Sequence, residues 1–289
     1  GHFEDLQDYM RAQDDNQVSV NVLESLVALL DTLMEQIVPR THALLLQLLA
    51  TIAELIQGPC RGNQEAFITL GIGDALAALI SLSASDAKDL SKEQLGEVHD
   101  GAVVVLLSLL EGRSDAPQLS PLVSSMSLTL LIEAMDRSYD EYMAEHDDLI
   151  NLVDSVDPKK ELTDELAVGV QVFIFFKTCL DMQLLFSSTD DFEFTDRDGL
   201  TLKQALRESR SYKFLNKRVA MIEIARGSNV ERVYFRIPAV SEKNLREDSK
   251  DQLIKRVNRE NDTTRLLDFF ERCAKLILEL EYYENLRST

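Results

Sequence analysis

Hydrophobic residues in the first part of the chain recur at steps of three and four, the spacing of an α-helix that covers a core with one face. The first stripe predicts a helix that ends at Pro39, and it consists of Leu23, Leu26, Leu30, Leu33 and Ile37. A second predicted helix stops at Gly58-Pro59, because glycine caps a helix and proline cannot continue it. Further helices are predicted at Ala66–Leu82, Glu93–Leu110, Leu119–Met135, Leu149–Val153 and Leu162–Phe186.

Several of these helices are apolar on more than one face. Ala102–Leu110 has scarcely a polar residue except Ser108, so it has to be covered on both sides. Gly71 and Gly73 are interpreted as a helix break. No regular repeat period is visible. We therefore predict a mostly α fold for residues 1–186, an irregular α-solenoid of armadillo-like helical repeats.

The character of the chain changes near residue 187. Ser187–Gly199 is polar and acidic, which indicates a surface loop, and residues 187–216 are predicted to form a linker with a connecting helix. Val233, Phe235 and Ile237 alternate with Arg232, Tyr234 and Arg236, the period-two pattern of a half-buried strand.

Two strands, Arg218–Arg226 and Val230–Ile237, are separated by Gly227-Ser228-Asn229 and predict a β-hairpin that Pro238 ends. Two helices, Glu247–Asn258 and Thr264–Glu284, are expected to follow. Residues 217–289 thus form a small predicted α+β element. It comes after the helical domain and the linker.

The formal net charge is −20, from 50 acidic and 30 basic residues. Nucleic-acid phosphates require clusters of Lys and Arg, so we expect no nucleic-acid partner. Apolar runs such as Val103–Leu110 are too short to span a bilayer, so no membrane span is expected in this fragment. Cys60, Cys179 and Cys273 are far apart and odd in number, which predicts free thiols in a reducing compartment and argues against a zinc site.

Catalytic motifs such as a nucleophile elbow or a phosphate-binding glycine loop are missing, so we predict that the chain is not an enzyme. The segment Thr195–Gly199 looks like part of a calcium loop. Alignment on its glycine places Phe194 at the first ligand position and Ala205 at the bidentate one, which excludes a working EF-hand. We interpret it as an acidic turn. Glu111, at the end of an apolar helix, is interpreted as a solvated cap.

Local motifs at both ends of the chain resemble one known family. The segment Ile52–Gln64, with Leu6–Arg11 before it and Val104–Gly112 after it, resembles the associated helical domain of inositol trisphosphate and ryanodine receptors. Ala220–Arg226 and Val230–Pro238 resemble the paired strands of that family's juxtamembrane linker, and Ser249-Lys250 and Leu267–Phe270 resemble its helices.

The resemblance implies a regulatory coupling module of an intracellular calcium-release channel, which relays cytosolic signals, calcium among them, to the pore. It implies neighbouring domains of the same channel as partners, namely the pore and the post-pore domain, and a homotetramer in the full-length protein. The implied location is the cytoplasmic face of the endoplasmic reticulum or of another calcium-store membrane. The alternative is a free-standing helical scaffold for protein–protein interaction.

A metal site also follows from the resemblance. By motif position, Glu54 falls on a carboxylate ligand of the family's activating calcium site and Gln57 on a supporting residue. A second glutamate would fall just before Gly1, with His2 beside it, and further ligands lie beyond the pore. We therefore expect calcium to bind in the full-length channel, and not tightly in this fragment. Taken from its helix alone, Glu54 would be an exposed carboxylate at the end of an apolar stripe.

The branch of the family stays open at this point. Ryanodine receptors carry paired EF-hand loops and a tryptophan near the position of Gly73, and this sequence has neither. The tyrosine and arginine residues in Val230–Pro238 resemble the ryanodine side instead.

Overall fold

A computed structural model describes residues 4–14, 16–87, 89–113, 115–150, 166–186, 192–226, 229–236 and 261–287. The described part is mostly helical, with twelve α-helices and one two-stranded antiparallel hairpin. The predicted helix Glu247–Asn258, the turn residues Gly227 and Ser228, Pro238, Ser249-Lys250 and His2 lie outside these ranges.

Eleven helices form what we call the helical body: α1 Glu4–Arg11, α2 Val22–Met34, α3 Pro39–Ile56, α4 Arg61–Thr69, α5 Ile72–Ser81, α6 Lys92–Ser108, α7 Ala116–Ser125, α8 Leu128–Ile150, α9 Ala167–Phe186, α10 Leu202–Arg207 and α11 Arg210–Leu215. The rest of the described chain forms what we call the hairpin–helix region: β1 Val219–Arg226, β2 Asn229–Arg236 and α12 Asp262–Arg287.

The first two predicted helices differ from the observed ones in their boundaries. Helix α2 ends at Met34, and Pro39 begins α3 instead of ending the helix before it. A proline fits the first turn of a helix because the amide that it lacks would have no intrahelical partner there. Asn21 caps α2 by accepting a hydrogen bond from the Leu23 amide at 3.1 Å.

The predicted break inside Ala66–Leu82 is confirmed. Gly71 adopts a positive φ of 79°, and the axes of α4 and α5 differ by 80° across it. Gly73 allows a close approach of α5 to α7, since a Cβ atom there would lie 2.5 Å from Ser125 Oγ.

The predicted single helix Leu119–Met135 is wrong, because α7 and α8 are separate helices on either side of Met126-Ser127. A distant loop stabilises this break. The Met126 carbonyl accepts the Arg197 amide at 3.2 Å, and the Leu128 amide donates to the Asp196 carboxylate at 3.0 Å. The partners that end one helix and begin the next are thus supplied by residues about 70 positions later in the chain.

The core lies where α6 and α9 pack among the other helices. Helix α6 contacts α3, α5 and α9, and α9 also contacts α7, α8, α10 and α11, so both are covered on several sides, as their all-round apolar character predicts. Phe173, Phe175 and Phe176 of α9 are fully buried. The stretch Ala167–Leu184 of α9 has the length and hydropathy of a membrane span, and half of it is buried among the other helices.

The hairpin is confirmed, with Glu223 paired to Arg232 and Met221 to Tyr234. The alternating pattern of β2 does not place its apolar side chains against the helical body. Val233 and Phe235 lie on the exposed face, whereas Arg232 and Tyr234 on the opposite face contact α9 through Asp181. Arg232 and Tyr234 are long enough to reach the partly buried carboxylate of Asp181 and to bind it. An alternating sequence pattern does not reveal that the polar face of a strand will be the one that contacts the body.

Candidate functional site

Glu54 lies in the last turn of α3, at a corner where several helices meet. Its neighbours Ile52, Ala53 and Ile56 point into the core and are buried, whereas the side chain of Glu54 is exposed. This orientation follows from the helical period, because position 54 falls on the face opposite residues 52 and 56. In the described ranges the Glu54 carboxylate makes no hydrogen bond or ion pair.

Gln7 of α1 holds the backbone around Glu54. Its side-chain amide donates to the Glu54 carbonyl at 2.7 Å and to the Gln57 carbonyl at 2.8 Å. The last carbonyls of a helix have no intrahelical partner, so a buried side-chain donor is an effective substitute. Gln7 is only 6% exposed. The corner therefore has α1 fixed against the end of α3.

Asn63, in the first turn of α4, extends this network. Its side-chain nitrogen donates to the Gln7 carbonyl at 2.8 Å and to the Leu55 carbonyl at 2.9 Å. The Arg11 guanidinium donates to the Asn63 side-chain oxygen at 2.8 Å. Because Asn63 is fully buried and its side-chain bonds are satisfied, it defines one arrangement of α1, α3 and α4.

Gln57 and Glu111 connect the corner to the end of α6. The Gln57 side-chain nitrogen donates to Ser108 Oγ at 3.1 Å, which leaves the Gln57 side-chain oxygen as the atom able to face a cation. The interpretation of Glu111 as a solvated cap of its own helix needs correction. Glu111 is half-buried, and its carboxylate accepts the Gly58 amide at 3.3 Å, so it caps the turn after α3 rather than α6.

The donor types at this corner suit calcium, which prefers carboxylate and amide oxygens. Their number is small, because calcium takes six to eight oxygens and the predicted residues Glu54 and Gln57 supply at most about three. Within the described ranges, no group of three or more His, Cys, Asp or Glu side chains is arranged to hold a metal ion. The assignment of Glu54 as a ligand stays a prediction.

The acidic turn 195–199 has a structural role that its sequence does not indicate. Asp196 is buried, and its carboxylate accepts amides of Asp198 and Leu200 at 2.9 and 2.8 Å in addition to that of Leu128. Arg197 pairs with Asp74 of α5. The predicted acidic turn is therefore confirmed, and it also clamps α5 and α8, a role that its sequence did not indicate.

The cysteines are free, as predicted, with Cys60 and Cys179 buried. Burial raises the pKa of the Cys60 and Cys179 thiols, so neither is poised as a thiolate nucleophile.

Sequence reasoning did not identify Gln7, Asn63 or Asp196 as organising residues. Gln7 and Asn63 do lie in two of the segments that carry the family resemblance, and this was the signal that could have found them. The contacts of Gln7 with Glu54 and of Asn63 with Gln7 span 47 and 56 positions of sequence, and no local pattern reports a contact across that separation.

Comparison with known proteins gives two findings. Residues 1–80 match the family profile described as "RyR and IP3R Homology associated". The chain also aligns with the inositol 1,4,5-trisphosphate receptor itr-1 of Caenorhabditis elegans, with 23% identity over 348 residues, covering 98% of this chain and 12% of the relative. The chain thus spans about an eighth of the length of the curated relative that it matches.

Proposed function

We propose that this chain is a regulatory coupling module of an intracellular calcium-release channel. Residues 1–80 match an associated domain of the inositol trisphosphate and ryanodine receptor family, and nearly the whole chain aligns with a distant inositol trisphosphate receptor. The module relays cytosolic signals to the pore. The observation that carries this proposal is the 98% coverage of the chain by the alignment, which joins helical body and hairpin in one homologous segment.

The fold supports transmission of movement rather than chemistry. Close-packed helices shift between discrete arrangements instead of deforming smoothly, so a displacement at one end of the body reaches the other. We propose that the body is part of a longer irregular α-solenoid of armadillo-like repeats. The partners are the pore and post-pore domains of a homotetrameric channel at the cytoplasmic face of the endoplasmic reticulum or another calcium-store membrane, and the module has no enzymatic activity.

Calcium is part of this proposal. Glu54 supplies a carboxylate and Gln57 supports it, while the remaining ligands come from other segments of the full-length protein. A site built by two domains biases their relative orientation when it fills, and this is how calcium binding can change the open probability of a pore. Gln7 and Asn63 contribute by holding the backbone of Glu54 in one place.

The test uses the full-length channel in cells that lack endogenous calcium-release channels. Replacing Glu54 with Ala should shift calcium activation to at least about tenfold higher calcium, since an interaction with a charged group contributes about 1.5–3 kcal/mol. Glu35→Ala, at the exposed end of α2, is the matched control and should leave activation unchanged. Normal calcium activation of the Glu54 variant would remove this residue from the site.

The competing function, a free-standing scaffold, makes a different prediction in the same cells. Expression of the full-length protein would then yield no calcium release under any stimulus. That result would overturn the channel proposal as a whole, whereas the Glu54 result bears on the site alone.

A further inference from the structure

Two side chains of the hairpin contact one carboxylate of the helical body. Asp181, in the last turns of α9, accepts a hydrogen bond from the Tyr234 hydroxyl of β2 at 2.5 Å. The Arg232 guanidinium of the same strand lies 3.9 Å from it, and the Lys177 ammonium, one turn earlier on α9, lies 3.3 Å from it. Two residues of β2 and one of α9 therefore share a single acceptor group.

This carboxylate is shielded from water, because its side chain is only 14% exposed. Electrostatic interactions are stronger in such surroundings than at an open surface, and a hydrogen bond to a charged acceptor is stronger than one between neutral groups. Burial, and then the hydrogen bond and charge of Asp181, raise the pKa of Tyr234. The hydroxyl thus stays protonated and remains a donor to Asp181 across the physiological range.

The contact at Asp181 is linked to both strands of the hairpin, because Arg232 of β2 also contacts β1. Arg232 also contacts Glu223 of β1 at 3.2 Å, and these two residues are directly opposite each other in the ladder. Lys177 and Arg232 offset the charge of Asp181, so the carboxylate is not left unpaired beside the strand. A movement of Asp181 that displaces β2 would therefore also displace β1, through the Arg232–Glu223 ion pair and the strand pairing.

Little else in the described hairpin is buried. Val219, at its base, packs against the core of the body, whereas Met221, Ile222, Ile224, Val233 and Phe235 are exposed. A two-stranded hairpin is marginally stable in water by itself, so its position depends strongly on the contacts that it makes elsewhere.

We propose that Asp181 is the joint through which α9 holds the hairpin, and that Tyr234 and Arg232 make the hairpin follow movements of the helical body. The joint is a property of this chain. Its consequence for gating rests on the proposed coupling function.

The joint is tested first in the isolated chain of residues 1–289, by hydrogen exchange of the β2 amides. Tyr234→Phe and Asp181→Asn should each speed that exchange by about tenfold or more, the factor that corresponds to losing a hydrogen bond to a charged group. Tyr282→Phe, on the exposed face of α12, is the matched control and should leave it unchanged. Exchange in α3 and α6 reports whether a variant has damaged the body instead.

A double variant separates a specific joint from general packing. The effects of the two substitutions should be less than additive, because both remove the hydrogen bond between Tyr234 and Asp181. Unchanged β2 exchange, or fully additive effects of the two substitutions, would each overturn the joint.

The channel experiment is made with the same substitutions in the full-length protein. If the joint and the coupling function are both correct, Tyr234→Phe and Asp181→Asn should weaken activation by the channel's stimuli, and Tyr282→Phe should not. Failure of the proposed function appears as no calcium release from any variant or parent, with the exchange results intact. Failure of the inference appears as a working channel whose activation and β2 exchange do not respond to the substitutions.

Discussion

The helical body and the hairpin–helix region handle their apolar side chains in opposite ways. The body buries long stripes of leucine, isoleucine and phenylalanine among its own helices. Among the side chains of the hairpin and α12 whose exposure the structure describes, none is buried. Helix α12 exposes large side chains along its length, among them Leu267, Phe270, Ile277, Leu278 and Tyr282. The body is therefore stabilised by its own packing, whereas the hairpin–helix region offers contact surfaces to whatever lies beside it.

This difference fits the proposed role, since a module that passes movement onward needs a rigid part and a part that engages other domains.

The strongest test of the comparison is to truncate one core residue and one exposed residue of the same type and to compare the losses of stability. Leu106→Ala, in the fully buried face of α6, should lower the free energy of unfolding by about 2–5 kcal/mol. Leu267→Ala, at a position 61% exposed, should change it by less than about 0.5 kcal/mol.

Urea unfolding followed by circular dichroism measures both variants. Similar losses for Leu106→Ala and Leu267→Ala would mean that α12 is packed as tightly as the body, and the contrast between the two regions would be wrong.

A second prediction concerns the turn 195–199, which belongs to the body although its sequence resembles a surface loop. Asp196→Ala removes the acceptor of three amides and should destabilise the chain by about 2–3 kcal/mol, because buried donors are left without partners. Asp198→Ala, at an exposed position in the same turn, should cost less than about 0.5 kcal/mol. Equal unfolding midpoints for the two variants would show that the turn is not a clamp.

The smallest predicted effect depends on pH. Burial lowers the pKa of His99, whose Nε2 atom lies 2.9 Å from the Leu82 carbonyl just after α5. The unfolded chain then binds the proton more readily than the folded chain, so the free energy of unfolding should fall as the pH drops below about 6.5. His99→Gln should flatten this dependence at a cost near neutral pH of about 1 kcal/mol.

Hydrogen exchange at pH values of about 7 and about 5, on either side of the ordinary histidine pKa, checks this prediction region by region. Because acid slows the intrinsic exchange of amides, the quantity compared is protection relative to the intrinsic rate. Helices α5 and α6 of the parent chain should lose protection at the lower pH, and they should lose less of it in His99→Gln. If acid instead loosened only the hairpin and α12, His99 would not be the responsible group.

Much of the helical body follows from local sequence. Gly71 breaks a helix because it adopts a backbone conformation that other residues rarely take, and Pro39 suits the first turn of a helix because that position needs no amide donor. The hairpin was predictable from two β-branched segments around a Gly-Ser-Asn turn. The candidate site was predictable only as Glu54 and Gln57, and only from the family resemblance.

The tertiary structure decided the rest. Periodicity determines that a residue is apolar or polar at a given place on a helix or strand, because backbone geometry repeats locally. It does not determine which distant group completes a hydrogen bond. Asp196 stabilises the break between α7 and α8, Gln7 holds the end of α3, and Asp181 turns the Tyr234 face of the hairpin inward. Each of these hydrogen bonds joins residues that are 47 to 68 positions apart in the chain. Buried polar groups need partners wherever the fold supplies them, and that supply exists only once the chain has folded.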